Sequence, residues 1–125
     1  MKRFAVIFAS ICLTTSAMAQ DLDFVTDKKL CPMERFDRQE QGMTFDGKGF
    51  YEIEYHCELA QAVSRSDLDG IDTVVRPGYC EEPGALFPTV FAMRWMQIDV
   101  DENARVLWVY EGSSGEPTTY YDCSG

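Results

Sequence analysis

The sequence predicts a mainly β fold, a small antiparallel barrel or a sandwich or meander, with a short helical N-terminal segment and two disulfides. Three observations lead there. Apolar and aromatic residues alternate at period two in short runs, Gly-, Pro- and Asp-containing turns separate those runs, and no long stretch carries the period of an amphipathic helix. Four cysteines, Cys31, Cys57, Cys80 and Cys123, follow the N-terminal segment without any C-x-x-C spacing, which suits disulfides in an oxidising compartment better than a metal knuckle or a redox motif. A chain of 125 residues, 46% hydrophobic and 13% aromatic, is one domain and too rich in core-forming residues for disorder.

The first nineteen residues read as an export signal. Lys2 and Arg3 precede ten apolar residues (4–13), and Ala17-Met18-Ala19 is a cleavage site, so residues 1–19 are expected to leave and residues 20–125 to form a single domain beginning at Gln20. Ten residues make only about 15 Å of helix, half the hydrocarbon core of a bilayer. Cys12 follows Ile11 rather than the small residue of a lipidation signal, and no second apolar stretch could span a membrane. The expected location is the periplasm or the exterior. Residues 20–125 carry 9 basic against 21 acidic side chains, a formal charge of −12, which excludes nucleic acid and anionic membrane as partners.

Within residues 20–42 the apolar residues are scattered, and Pro32 forbids one continuous helix, leaving one or two short helical turns such as residues 27–31. Asp46-Gly47-Lys48-Gly49 is a turn joining residues 43–45 to the strand Phe50-Tyr51-Glu52-Ile53-Glu54-Tyr55-His56-Cys57. Its alternation places Tyr51, Ile53, Tyr55 and Cys57 on one face and Glu52, Glu54 and His56 on the other. After a polar stretch (64–70), residues 71–75 form a strand stopped by Arg76-Pro77-Gly78. Residues 87–100 and 105–111 make a hairpin about Asp101-Glu102-Asn103-Ala104, Gly112-Ser113-Ser114-Gly115-Glu116-Pro117 is a loop, and residues 118–123 are a last strand. Four cysteines allow three pairings. Pairing of sequence neighbours, Cys31 with Cys57 and Cys80 with Cys123, is favoured here.

No cofactor motif is present, and no nucleophile elbow or phosphate-binding glycine loop supports an enzyme. Glu52, Glu54, His56 and Glu58 share one parity, so a continuous strand would carry three carboxylates and the single His in a row about 6.5–7 Å apart. That row is the candidate for a metal-binding or hydrolytic site, and equally a charged solvent face. Asp67-Leu68-Asp69-Gly70 is reminiscent of a calcium loop, but aligning Gly70 with the invariant glycine puts Arg65 and Arg76 at ligand positions, so it reads as a polar turn. Trp95, Trp108, Tyr110, Tyr120 and Tyr121 could line a ligand groove, and at strand periodicity are also core residues.

Two segments carry a resemblance. An aromatic-Glu strand running into Cys57 and the C-terminal Tyr120-Tyr121-Asp122-Cys123 resemble small exported proteobacterial β-domains of unknown function. Tyr55-His56-Cys57 and the Ser113-Ser114-Gly115 loop are similar, at the level of architecture, to the periplasmic inhibitors of c-type lysozyme, disulfide-tied β-barrels whose Ser/Gly loop plugs the lysozyme cleft. That family has a basic residue and a Tyr close behind the loop, whereas Glu116-Pro117-Thr118-Thr119-Tyr120 follow here. The resemblance implies partner contact at Ser113, Ser114 and Gly115. The expectation is an acidic binding protein rather than an enzyme, directed at a basic periplasmic or extracellular protein such as lysozyme, with a metal-binding or hydrolytic role for Glu52, Glu54 and His56 or a structural envelope role as alternatives.

Overall fold

A computed structural model describes residues 22–70, 72–99 and 104–124. The expected signal peptide, the start at Gln20 and the Asp101-Glu102-Asn103 turn lie outside them. Eight antiparallel strands follow one another around a closed barrel in sequence order: β1 (Phe24–Val25), β2 (Thr44–Phe45), β3 (Gly49–Glu52), β4 (Tyr55–Leu59), β5 (Val74–Glu82), β6 (Ala85–Asp99), β7 (Ala104–Glu111) and β8 (Thr118–Asp122). Closure leaves the sheet with no free edge, as expected of the barrel alternative.

The N-terminal helical segment is a 3₁₀ turn (Lys28–Leu30), capped by the Asp27 carboxylate on the Lys29 N–H, followed beyond Pro32 by α1 (Arg35–Gln41). This segment connects β1 to β2, and α1 packs beside β3, where the Ile53 N–H donates to the Gln39 carbonyl at 2.9 Å. A short α2 (Arg65–Gly70) connects β4 to β5. Sequence reading gave a polar turn there; the Ser64-x-x-Asp67 spacing instead makes a capping box, in which the Ser64 N–H donates to Asp67 Oδ2 at 2.9 Å and the Asp67 N–H donates to Ser64 Oγ at 3.2 Å. Leu68, on the inner side of that single turn, is buried.

Two strand assignments are corrected. The run from Phe50 to Cys57 is a hairpin rather than one strand: Glu52 pairs with Tyr55, and Glu54 adopts a left-handed φ of 65°. The two-residue turn exchanges the parity of the second half, so that Phe50, Glu52, Tyr55 and Cys57 face inward while Tyr51 and His56 stack outside, ring centroids 6.4 Å apart. Ile53, expected in the core, is 59% exposed at the turn. Secondly, β5 passes through Arg76-Pro77-Gly78 rather than stopping there. The Pro77 carbonyl accepts the Ala60 N–H at 2.9 Å, and a strand residue's N and O point the same way, so the missing N–H faces the end of β4 and costs the β5–β6 ladder nothing.

The core is aromatic. Phe45 stacks on Phe50 at 4.4 Å, Phe50 on Phe91 at 4.8 Å, and Phe24, Met93, Leu107 and Tyr120 complete it. Two glycines let β4 approach its neighbours, because a Cβ on Gly49 would stand 2.4 Å from the Cys57 carbonyl oxygen and one on Gly78 2.2 Å from that of Glu58.

The disulfides are Cys31–Cys123 and Cys57–Cys80, which overturns the neighbour pairing. Cys57 and Cys80 are direct cross-strand partners in β4 and β5. Cys31 and Cys123 meet because closure sets the last strand beside the first, Phe24 opposite Asp122. Two disulfides fit an oxidising compartment. No helix among the described residues is long and apolar enough to cross a membrane.

Replacing Cys31 and Cys123 together by Ala removes a cross-link spanning 92 positions, and urea unfolding should show a loss of about 4–5 kcal/mol in the chain-entropy account. Acid should also unfold the protein in a defined way. The Ser64 backbone N–H and hydroxyl hold Asp67 below the usual carboxylate range; burial pushes Asp122 up, but hydrogen bonds from Arg65 and Ser124 outweigh it and its carboxyl is lowered too. A carboxyl lowered by folding stabilises fully above its unfolded value near 4 and loses that contribution as pH falls through the folded value. The melting temperature should therefore hold between about pH 5 and 7 and drop below about pH 4. Asp122→Asn should make that drop shallower; an unchanged acid profile would assign it to other carboxylates.

Candidate functional site

Alternating strand direction gives the barrel two unlike ends. One end carries the β3–β4, β5–β6 and β7–β8 connections and the points where the longer β1–β2 connection leaves β1 and enters β2, and the other carries the β2–β3 turn, α2, the starts of β1 and β7 and the ends of β6 and β8. Glu52 and Glu54, Glu81 and Glu82, and Glu111 and Glu116 gather at the first end, where the three short connections contain no Lys or Arg and the cations of the long β1–β2 connection are Lys28, Lys29, Arg35 and Arg38. At the opposite end three acids are paired with arginines: Arg65 with Asp122 at 2.8 Å, Arg76 with Asp67 at 3.6 Å and Arg105 with Asp69 at 3.6 Å. The β7–β8 loop therefore projects among glutamates that have no Lys or Arg partner among the described residues.

That loop is exposed from Gly112 to Glu116 and holds its own shape. Gly112 takes φ 58° and donates to the Val90 carbonyl at 2.8 Å, the Ser114 N–H donates to the Glu111 carbonyl at 3.1 Å, and the Ser114 hydroxyl donates to the Glu116 carbonyl at 3.1 Å. Ser113 and Ser114 stand at its tip beside Gly115, where nothing approaches within 4 Å of a Cβ position.

Beneath the loop, a cavity of about 210 Å³ opens into the barrel. Phe50, Phe91, Val109 and Cys57 form its depth, with Met43, Glu52, Tyr55, Glu111 and Tyr120 around them. The Tyr55 hydroxyl donates to Glu111 Oε1. The Cys80 sulfur lies 3.5 Å from the same oxygen, a contact without a hydrogen bond because a disulfide sulfur carries no proton. Burial, then the hydrogen bond to Glu111 and its charge, push the Tyr55 phenol well above its ordinary value. Burial does the same for Tyr120, helped by the charge on Glu111. Both phenols remain protonated donors at neutral pH.

The Glu52, Glu54, His56, Glu58 row does not exist as a line of side chains, because the turn at Ile53-Glu54 breaks it. Glu52 faces the cavity, Glu54 sits on the turn, His56 Nε2 stands 3.5 Å from Glu81 on the outer wall, and Glu58 accepts the Tyr79 hydroxyl. Among the described residues, the metal-ligand atoms that converge belong to Cys57, Cys80 and Glu111, and the two sulfurs are already bonded to each other. Of the five aromatics considered for a groove, Tyr120 alone lines this cavity. Trp95 packs edge-on against Phe24 at the opposite end with Arg65 and Arg105 over its ring, while Trp108, Tyr110 and Tyr121 are half-buried and alternate with inward residues.

Sequence reading missed Glu111 and Tyr55 as partners. They are 56 positions apart, and only the parity change at the β3–β4 turn points Tyr55 at Glu111. The larger hollow, about 410 Å³, lies outside the barrel under α1, where Arg38 is occupied by Asp23 at 2.7 Å and by the carbonyls of Met33 and Cys31.

No protein-family model matches the chain, and neither a curated protein nor a solved structure matches it.

Glu111→Gln should lower the titration of the Tyr55 phenol toward the ordinary tyrosine value near 10, read by ultraviolet absorbance at high pH. The sign follows from removing a negative charge and a carboxylate acceptor that both favour the protonated phenol. An unmoved titration would mean that burial alone holds it up.

Proposed function

We propose that the protein is an exported acidic binding protein that engages a basic extracytoplasmic partner, an enzyme such as lysozyme, through the acidic end of the barrel, with Ser113, Ser114 and Gly115 at the contact. The observation that carries this reading is the segregation of charge. Asp67, Asp69 and Asp122 at the opposite end pair with arginines, whereas Glu52, Glu54, Glu82, Glu111 and Glu116 have no Lys or Arg partner among the described residues. A field of one sign at one end steers an oppositely charged protein and orients it before contact. The self-braced loop offers a protruding, pre-shaped element, so little ordering entropy opposes docking. The expected export signal and the two disulfides support an extracytoplasmic setting.

The test is capture from an envelope fraction, and binding to purified c-type lysozyme, at low and high salt. We expect a basic partner retained at low salt and released at high salt. Replacing Ser113 and Ser114 by Trp should weaken it about tenfold or more, equivalent to about 1.4 kcal/mol. Unchanged affinity would remove the loop from the contact, and salt-insensitive capture or none would end the reading.

A further inference from the structure

The cavity has chemistry that a protein contact at the loop does not use. Its depth is apolar, with Phe50 1%, Phe91 2% and Val109 4% exposed. Half-buried Glu111 is held there by the Tyr55 hydroxyl, and among the described residues no Lys or Arg pairs with it. A half-buried carboxylate with one hydroxyl donor keeps acceptor capacity that a cation with N–H donors can fill. A second observation lies deeper. The Tyr120 hydroxyl, on a residue 2% exposed, donates only to the Met43 thioether at 3.0 Å, a weak acceptor, and no described residue donates to its oxygen. The cavity therefore holds the Glu111 carboxylate fixed by Tyr55, a second carboxylate from exposed Glu52, and one buried oxygen with free lone pairs, between walls of ring and aliphatic carbon.

Size narrows the occupant. An apolar cavity of about 150 Å³ accepts benzene, so about 210 Å³ accommodates one ring with a short arm. We propose that this cavity is a binding site for a small protonated arylalkylamine, its ring among Phe50, Phe91 and Val109 and its ammonium on the Glu111 carboxylate. The ring replaces solvent against apolar walls, and the ammonium forms a charge-assisted hydrogen bond in a site partly withdrawn from water. A neutral analogue leaves the carboxylate short of donors, and an anion meets the repulsion of Glu111 and Glu52 together. This site does not depend on the protein partner proposed above.

Calorimetry on the purified protein with 2-phenylethylamine, 2-phenylethanol, phenylacetate and methylammonium at near-physiological salt tests it. The amine should bind at least about tenfold more tightly than the alcohol, as a hydrogen bond to a charged group implies, and phenylacetate and methylammonium should give no measurable heat. Glu111→Gln should abolish the preference for amine over alcohol, and Val109→Phe, which fills the depth of the cavity, should weaken both. Equal binding of amine and alcohol, or no binding of the amine, overturns the proposal in the wild-type protein, whatever the variants do. Methylammonium binding as well as 2-phenylethylamine would reduce the effect to surface charge and overturn it too.

Discussion

β1 contributes only Phe24 and Val25, yet it must hydrogen-bond to β2 on one side and β8 on the other for the sheet to close. Two residues of ladder on each side are too few to hold a seam, and the reinforcement around them is dense. The Cys123 N–H donates to the Asp23 carbonyl at 2.8 Å, and the disulfide ties Cys123 to the 3₁₀ turn just after β1. Arg38, 8% exposed, reaches from α1 to the Asp23 carboxylate and to the carbonyls of Met33 and Cys31, so that its buried guanidinium is paired on every side. Arg65 reaches across from α2 to Asp122 and lies over the Phe24 ring at 5.4 Å. Without the seam, Phe24 and Tyr120 would not face one another's neighbours, and the aromatic core would open into two sheet edges.

The distribution of cations follows from that requirement. Arg38 and Arg65 secure the seam, while Arg76 and Arg105 pair with Asp67 and Asp69 around α2. These four cations are engaged at the seam and around α2, while the short β3–β4, β5–β6 and β7–β8 connections carry glutamates and no Lys or Arg. Acidity at the loop end is thus the counterpart of structural demand elsewhere, and the cavity opens where side chains are least committed to closing the barrel.

Much of this was legible in sequence. The turn at Asp46-Gly47-Lys48-Gly49, the hairpin strands on either side of residues 100–103 and the last strand were readable because Gly and Asp punctuate runs of β-formers. The turn at Ile53-Glu54 was not, since it contains neither Gly, Asn nor Pro and interrupts a perfect alternation. Its left-handed Glu54 is imposed by the pairing of β3 with β4 rather than by local preference. That one hidden turn also concealed the site, because it sends Glu52 and Tyr55 inward and leaves His56 outside. The disulfides were hidden for a different reason. Loop-closure entropy grows slowly with length and cannot choose among pairings, whereas the neighbour relations Cys57 to Cys80 and β8 to β1 are properties of the closed sheet. Ser64-x-x-Asp67 was a readable signal for α2, weakened by the brevity of the helix behind it.

Closure through antiparallel pairing of the first and last strands also settles where the chain enters and leaves. Leu22 and Ser124 flank paired Phe24 and Asp122, so both ends of the described chain emerge side by side at the α2 end. A tether or tag at either position lies on the side away from the acidic loops, and a surface grafted with the protein through it would present those loops outward as a uniformly oriented layer.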